Sequence, residues 1–210
     1  MYKPDFFMIG AGKAGTTALW SWLREHPQIY LSRINEPRYF ADDMPHLMMR
    51  IASEAKYLPL FNGAGPEHLA IGEASTQYIF SANAVSNIRA FNSAARLIVT
   101  LRNPVDMASS AQGTFCHWFF KDGFDFEAAW RKILLRRLHG LPDPPSWRLA
   151  GPWPDMCFLS KSVAKTLALF PRKNIHFVFY DDFVKNPIIV YQEILRFLIV
   201  DRCTVSVSSC

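Results

Sequence analysis

The sequence predicts an α/β protein with three layers, in which helices cover both faces of a central, mostly parallel sheet. Two observations support this fold class. Short apolar segments rich in β-branched and aromatic residues alternate with longer amphipathic segments along the 210 residues, as expected when crossover helices join parallel strands. The first apolar segment also runs directly into a glycine-rich turn, Gly10 to Thr17, and an amphipathic segment follows it.

In the first half of the chain, the apolar run that ends at Ile9 predicts a strand, and the segment behind the glycines predicts a helix. Leu19 and Leu23 share one face of this helix, and Pro27 stops it. Short apolar runs then predict strands, and a helical segment follows. In order, the predicted elements are a strand from Asp5 to Ile9, a helix from Thr16 to Glu25, strands from Ile29 to Leu31 and Ile71 to Ala74, and a helix from Val85 to Phe91.

In the second half, β-branched residues predict a buried strand, and Pro104 opens the next helix in the way a first-turn proline does. Amphipathic segments predict further helices, and one more apolar run predicts the last strand. In order, these elements are a strand from Arg96 to Leu101, helices from Pro104 to Phe119, Phe126 to Leu138 and Leu159 to Leu169, a strand from Ile175 to Tyr180, and a helix from Ile188 to Leu198.

We expect residues 1–210 to form a single domain, since this length suits one α/β domain and no internal repeat is present. The proline-rich stretch from Leu141 to Trp147, followed by Gly151 to Pro154, predicts a long surface loop. It does not predict a domain linker, because the alternation of strands and helices resumes beyond it.

The chain is basic, with 23 Lys and Arg against 18 Asp and Glu and a formal net charge of +5. Such a balance suits nucleic acid, an anionic surface or a polyanionic small ligand. The two clusters, Arg131-Lys132 and Arg136-Arg137, fall on one predicted helix, where a solvated face is the simpler explanation. We therefore expect an anionic small ligand and no nucleic-acid partner.

No apolar run is long enough to cross a bilayer, and the first strand begins too close to Met1 to leave room for a signal peptide. We therefore expect a cytoplasmic protein without a membrane span. The four cysteines show no CxxC spacing and the six histidines no ligand pattern, so we expect no metal site.

The glycine-rich turn predicts a P-loop-like anion site. Backbone N–H groups and threonine hydroxyls can surround a phosphate-like group at the positive end of the helix dipole. A Walker A motif ends in Gly-Lys-Ser/Thr, whereas here the only lysine of the turn lies in its middle. The turn is therefore not suited to the usual handling of ATP with magnesium. Its predicted contacts are Gly12, Lys13, Ala14, Gly15, Thr16 and Thr17.

Arg102 and Ser110 form a second candidate site. Arg102 follows a predicted strand and Ser110 lies on the helix that Pro104 opens. Ligands of open α/β sheets bind at the carboxyl ends of the strands, and an arginine fork beside a hydroxyl can hold a terminal phosphate. An ordinary salt bridge for Arg102 and a surface hydroxyl for Ser110 are the alternatives.

Five segments of the chain resemble sulfotransferases that use 3′-phosphoadenosine 5′-phosphosulfate (PAPS), and the glycan type, which acts on heparan sulfate, is the most similar. The segments occur in the family's order and at roughly its spacing, from residue 4 to about residue 198. They are PDFFMIGAGKAGTTAL, HPQIYLSRINEPRYF, GEASTQY, LIVTLRNPVDMASS and LFPRKNIHFVFYDDF.

The resemblance implies PAPS as the sulfuryl donor, its 3′,5′-bisphosphate (PAP) as product, and no metal. It places Lys13 at the leaving group, because a cation there opposes the charge that develops on the departing oxygen. Arg102 and Ser110 match the residues that bind the 3′-phosphate. Many members carry an arginine where this chain has Met107, so one basic contact is expected to be missing.

The resemblance also makes Glu36 the general base that accepts the proton of the acceptor group. Pairing with Arg33 or Arg38 at a turn is the structural alternative, and Glu73 is the other candidate carboxylate, for which we expect a supporting role. A small-molecule or glycan acceptor fits a glutamate base: a sugar hydroxyl, an amine, or a hydroxyl of a lipid or polyketide.

A P-loop nucleotide kinase and a non-catalytic module that binds PAPS or PAP are the alternative functions. The family usually continues with a basic loop that closes over the nucleotide, which this sequence lacks, so we expect a truncated or altered end after about residue 198. We also expect the helix from Ile188 to Leu198 to be left exposed, which makes a homodimer an option.

Overall fold

The computed structural model describes residues 2–44, 50–119, 125–142 and 158–201. The predicted loop beyond Pro142 and the tail beyond Asp201 lie outside them. The strands are β1 Phe6–Gly10, β2 Ile29–Leu31, β3 Ala70–Ala74, β4 Arg96–Leu101 and β5 Ile175–Phe179. The helices are α1 Thr16–Glu25, α2 Glu54–Tyr57, α3 Ala84–Phe91, α4 Pro104–Phe119, α5 Phe126–Leu138, α6 Leu159–Leu169, α7 Tyr180–Lys185 and α8 Pro187–Leu198.

Each predicted strand and helix is present, with ends that differ by at most one residue. The helices that the sequence did not predict, α2 and α7, have four and six residues. Both are shorter than two turns, so neither shows a helical repeat of apolar residues that could be recognised. Tyr180, predicted to end the last strand, instead begins α7.

The described strands form one parallel sheet in the order β2-β3-β1-β4-β5. Strand β1 lies in the middle, between β3 and β4. Because the strands are parallel, the segments that follow them all leave from the same edge of the sheet. The glycine-rich turn, the Glu36 segment, Thr76, Arg102 and Tyr180 therefore belong to one end of the molecule, which we call the carboxyl end.

Two apolar clusters cover the two faces of the sheet. Every residue of β1 is buried, and its side chains alternate between the faces, as the two-residue period of a strand requires. Phe7 and Ile9 pack with Ile88 of α3, whereas Phe6 and Met8 pack with α1 and α8. Helices therefore lie on both faces, which confirms the predicted three-layer α/β/α architecture.

Helix α8 packs against the sheet with its apolar face. Its residues Val190, Tyr191, Ile194, Leu195 and Leu198 are buried. The expectation that this helix is left exposed is wrong, because the chain itself covers that face, and the physical reason for a dimer is removed. In the part of the chain that the structure describes, no helix is long and apolar enough to span a bilayer.

Candidate active site

The glycine-rich turn connects β1 to α1 and adopts a backbone that needs its glycines. Gly10, Lys13 and Gly15 have positive φ angles of 124°, 66° and 82°. A side chain at Gly10 would collide with the backbone carbonyl of Thr76, so the turn can lie against the segment that follows β3 only because glycine stands there. The turn ends where α1 begins, so the free N–H groups of that helix end beside it.

Three hydrogen bonds fasten the turn to the end of β4. Ala11 N–H donates to the Thr100 carbonyl at 2.8 Å, and the Thr100 hydroxyl donates back to the Ala11 carbonyl at 3.0 Å. The Arg102 guanidinium then donates from Nη1 to the Lys13 carbonyl at 3.0 Å. The backbone that carries Lys13 is therefore held in place, while its side chain is only half-buried.

The structure places Arg102 beside the glycine-rich turn, a contact that the sequence did not predict, and gives it a second neighbour. Its guanidinium carbon lies 4.1 Å from the centre of the Tyr180 ring, in a cation–π contact. Its Nε is buried and has no hydrogen-bond partner among the described residues. A buried donor without a partner requires an explanation, and an anionic ligand is one that fits the charge.

The remaining predicted contacts differ in what they can offer a ligand. Ala14 is fully buried, so only its backbone can contribute, whereas Thr17 is exposed and Thr16 is buried. Ser110 is half-buried on α4. Met107, one turn earlier on the same helix, is fully buried in the core, so its position faces away from solvent.

Glu36 lies on the segment after β2 and is held by Thr76 beyond the end of β3. Thr76 donates to both carboxylate oxygens, from its backbone N–H at 3.0 Å and from its hydroxyl at 2.7 Å. Arg38 Nε lies 3.5 Å from Glu36 Oε2, so the predicted turn pairing also exists. Burial raises the pKa of Glu36, although the bonds from Thr76 and the charge of Arg38 oppose the rise.

The Glu36 segment has an unusual backbone. Glu36 and Arg38 have φ angles of 60° and 55°, in the left-handed region that side chains disfavour. The backbone N–H of Glu36 donates to the Ala74 carbonyl at 2.9 Å. Non-glycine residues keep such a conformation only where the surrounding contacts impose it, and such positions concentrate at functional sites.

Glu73 is the second carboxylate of this region and is fully buried. Burial raises its pKa to about 7, although hydrogen bonds from Tyr78, Ser75 and Tyr57 oppose the rise and the charge of Glu36 adds to it. No solvent reaches Glu73, whereas the Glu36 side chain remains 21% exposed. Of the two carboxylates, Glu36 is the one that a substrate can reach.

Thr76 is the residue that the sequence analysis missed. It contacts both the glycine-rich turn and the Glu36 segment: its carbonyl packs against Gly10, and its side chain binds Glu36. The available signal was the position of Gly72-Glu-Ala-Ser-Thr76 at the end of a predicted strand, since polar residues there face the ligand edge of a parallel sheet. Among the described residues, no group of His, Cys, Asp and Glu could hold a metal ion.

Two sequence comparisons, one with a family model and one with individual proteins, both find sulfotransferases. A family model described as a sulfotransferase domain matches residues 3–202. The membrane-associated sulfotransferase kil1 of Dictyostelium discoideum is 32% identical over 115 residues, which are 55% of this chain and 24% of that protein. The chain therefore spans about a quarter of the length of this relative.

Solved structures agree with the family model. A sulfotransferase from Alicyclobacillus acidocaldarius has a TM-score of 0.83 at 26% identity, covering 96% of this chain and 83% of its own. The sulfotransferase domain from the curacin biosynthetic pathway has a TM-score of 0.60, and mouse sulfotransferase SULT7A1 complexed with PAP one of 0.59, each at 16% identity. Both cover 97% of this chain, and 76% and 61% of their own, so they share its fold.

Proposed function

The chain belongs to the sulfotransferase domain family, and we propose that it transfers a sulfuryl group from PAPS to a hydroxyl or amine of a sugar-like or other small acceptor. The observation that carries this proposal is the position of Thr76. It lies against the glycine-rich turn with its backbone and binds both oxygens of Glu36. A donor anion bound at the glycine-rich turn would therefore lie close to the Glu36 carboxylate, at the carboxyl end of the sheet.

Lys13 is proposed to act at the leaving group. In the reaction the bond between sulfur and the bridging oxygen of PAPS breaks, and negative charge grows on that oxygen as PAP departs. A cation beside it stabilises the transition state more than the ground state. The hydrogen bond from Arg102 to the Lys13 carbonyl supports this role, because it fixes the backbone from which the ammonium group extends.

Glu36 is proposed to accept the proton that the acceptor loses when it attacks sulfur. A hydroxyl is too weak an acid to ionise first, so the proton must leave during the attack. Burial raises the pKa of Glu36, which makes its carboxylate a stronger base. Thr76 supports this role because its two hydrogen bonds orient the carboxylate, leaving each oxygen with further lone pairs for the acceptor.

Arg102 and Ser110 are proposed to bind the 3′-phosphate of the nucleotide. The unpartnered Nε of Arg102 supports this assignment, since a phosphate would satisfy it with a charge-assisted hydrogen bond. The Tyr180 ring beneath the guanidinium would hold the fork in one plane while it binds. Ser110 would add a hydroxyl donor from α4.

Calorimetric titration and a transfer assay together test this function. We expect PAP to bind without added metal, ATP with magnesium to bind far more weakly, and labelled sulfate to pass from PAPS to a member of a panel of sugars, amines and hydroxylated lipids. Binding of ATP with magnesium alone would point to a nucleotide kinase. Binding of PAP without transfer to any acceptor would point to a non-catalytic module.

A further inference from the structure

Three hydroxyl groups surround the buried carboxylate of Glu73. Tyr57 and Tyr78 donate to its Oε1 at 2.9 and 2.7 Å, and Ser75 donates to its Oε2 at 2.8 Å. An ionised carboxylate can only accept hydrogen bonds, so each hydroxyl directs its proton at Glu73. One residue of β3 therefore sets the orientation of all three hydroxyls.

Two of these hydroxyls also hold the segment that carries Glu36. The backbone N–H of Arg38 donates to Ser75 Oγ at 2.9 Å, and that of Phe40 donates to Tyr78 Oη at 3.3 Å. A hydroxyl has a single proton to donate. Because both protons point at the buried carboxylate, both oxygens present lone pairs to the segment.

The segment needs these contacts, because its backbone is disfavoured. Glu36 and Arg38 both have left-handed φ angles, and other conformations are favoured unless neighbouring groups prevent them. The N–H of Glu36 is held by the Ala74 carbonyl. The next hydrogen bonds along the segment are those that the two hydroxyls accept.

We infer that ionised Glu73 is a positioning residue for the catalytic base: by taking the hydroxyl protons of Ser75 and Tyr78, it makes these oxygens the acceptors that hold the Glu36 segment. This inference rests on the proposed role of Glu36 as base. Glu73 itself contacts no substrate, since it is fully buried. A protonated Glu73 would donate to a neighbouring hydroxyl, which would then have to turn its own proton away and hold the segment less firmly.

The charged and titratable groups around Glu73 give this arrangement a pH dependence. Tyr57 of α2 and Tyr78 have pKa values well above the usual range because of burial, so both stay neutral donors. Glu36 faces Glu73 with a negative charge and is itself paired with Arg38. Since burial brings the pKa of Glu73 to about 7, the positioning should weaken as the pH falls below neutrality.

Backbone NMR on the folded chain tests the inference without any substrate. Glu73→Gln replaces an acceptor oxygen with an N–H donor, and Ser75→Ala removes the acceptor of the Arg38 N–H. Tyr57→Phe is the matched control. The Tyr57 hydroxyl donates to Glu73 Oε1, as the Tyr78 hydroxyl does, but it accepts no described N–H of the Glu36 segment. We expect the rate of hydrogen exchange between the Arg38 amide and solvent to rise about threefold to tenfold in Glu73→Gln and Ser75→Ala. In the control it should rise by much less.

Turnover with PAPS provides the second measurement. We expect kcat to fall about tenfold to a hundredfold in Glu73→Gln and Ser75→Ala, with KM for PAPS little changed, because a displaced base impairs the reaction and not the binding. Glu73→Gln should remove the part of the acidic limb of the kcat profile that Glu73 sets near pH 7, and leave the part that Glu36 sets as the base.

If the Arg38 and Phe40 amides exchange at unchanged rates in a folded Glu73→Gln variant, the inference is overturned. If that variant does not fold, the hydrogen-exchange protection of the same two amides in the unsubstituted chain decides: it should fall as Glu73 takes up a proton near pH 7, and protection that does not change there would overturn the inference. A chain without transfer activity would contradict the proposed function instead, and the amide measurements would still decide whether Glu73 positions the segment.

Discussion

The two ends of the parallel sheet treat polar groups in opposite ways. At the carboxyl end, Glu36 is partly buried on a left-handed backbone. Among the described residues, buried Glu73 has hydroxyl partners but no cationic one, and Arg102 Nε has no hydrogen-bond partner. Each of these arrangements costs folding free energy. We attribute them to the proposed ligand site, since functional sites retain such costs.

At the amino end, polar groups are paired with one another and fasten the chain. Arg96 of β4 forms an ion pair with Asp5 at 2.9 Å and donates a further hydrogen bond to the end of α8. Gln28 exchanges two hydrogen bonds with Asp201, at 2.6 and 2.8 Å. The contacts at the amino end stabilise the fold, whereas those at the carboxyl end serve the reaction under the proposed function.

Lys13→Ala should give the largest effect at the carboxyl end. Removing the cation that opposes the leaving-group charge should lower kcat by about 10² to 10³, while PAP binding weakens much less. Lys132→Ala is the matched control, since Lys132 is exposed on α5. Turnover can be measured as PAP release, and a Lys13→Ala variant with near-normal turnover would break the assignment.

Glu36→Gln should follow, because an amide keeps the shape of the carboxylate but cannot accept the acceptor's proton. We expect turnover to fall about 10²-fold, the lower end of what a general base contributes, while PAP binding persists. Glu127→Gln provides a control in which an exposed carboxylate that pairs with Arg131 is lost. If Glu36→Gln lost activity only because its melting temperature collapsed, the pairing with Arg38 would be the more important role of Glu36.

Glu73 predicts how stability changes with pH. Its pKa rises from 4.5 to about 7 on burial, so the folded chain binds the additional proton between these values. The free energy of unfolding should therefore decrease as the pH rises through this window, by about 3 kcal/mol from this group. Urea unfolding at several pH values should show a flatter dependence in Glu73→Gln.

Asp5→Asn serves as the comparison at the amino end. Burial also raises the pKa of Asp5, but its ion pair with Arg96 opposes the rise. In Asp5→Asn, the slope of the free energy of unfolding against pH should therefore change in the same direction as in Glu73→Gln, but by less. An equal or larger change in Asp5→Asn would contradict the contrast between the two ends.

Arg102→Ala should weaken PAP binding by about 1.5–3 kcal/mol, or roughly tenfold to a hundredfold. The loss should be much smaller for adenosine 5′-phosphosulfate, which has no 3′-phosphate. Arg131→Ala, at an exposed ion pair on α5, should change neither affinity. Equal losses for both nucleotides would show that Arg102 acts through the Lys13 carbonyl alone.

The fold was predictable from the sequence because its signals are local. The buried strand Arg96–Leu101 and the amphipathic helix Thr16–Glu25 were predicted with the bounds that the structure gives. The glycine-rich turn was equally visible, since glycines at Gly10 and Gly15 supply the positive φ angles found there. Apolar periodicity and turn residues act over a few neighbours, so one sequence is sufficient to read them.

The parts of the site that depend on distant contacts were not predictable. Thr76 binds Glu36 across forty positions of sequence, and the contact between Arg102 and Tyr180 joins the ends of two strands. Neither pairing has a local pattern. The burial of Glu73 could not be inferred either, because a glutamate in a short strand is usually solvent-exposed, and only the surrounding hydroxyls make its burial tolerable.

Ile199→Gly should give the smallest effect and the sharpest test of the contrast. Ile199 ends α8 at the amino end with φ 60°, a conformation that costs a branched side chain about 1–2 kcal/mol and costs glycine little. Its side chain is 77% exposed, so little packing is lost. We expect the free energy of unfolding to increase by about 1 kcal/mol, measured by urea unfolding, with turnover unchanged.

Two matched variants complete this comparison. Ile189→Gly, at an exposed position inside α8, should lower the free energy of unfolding by about 0.5–1 kcal/mol, because glycine there only adds backbone entropy to the unfolded chain. Arg38→Gly relieves the same kind of strain as Ile199→Gly, but at the carboxyl end and beside Glu36. It should therefore lower turnover even where it stabilises the fold. If Arg38→Gly kept full turnover, the strained backbone of the Glu36 segment would have no part in the reaction, and the two ends would differ only in their charges.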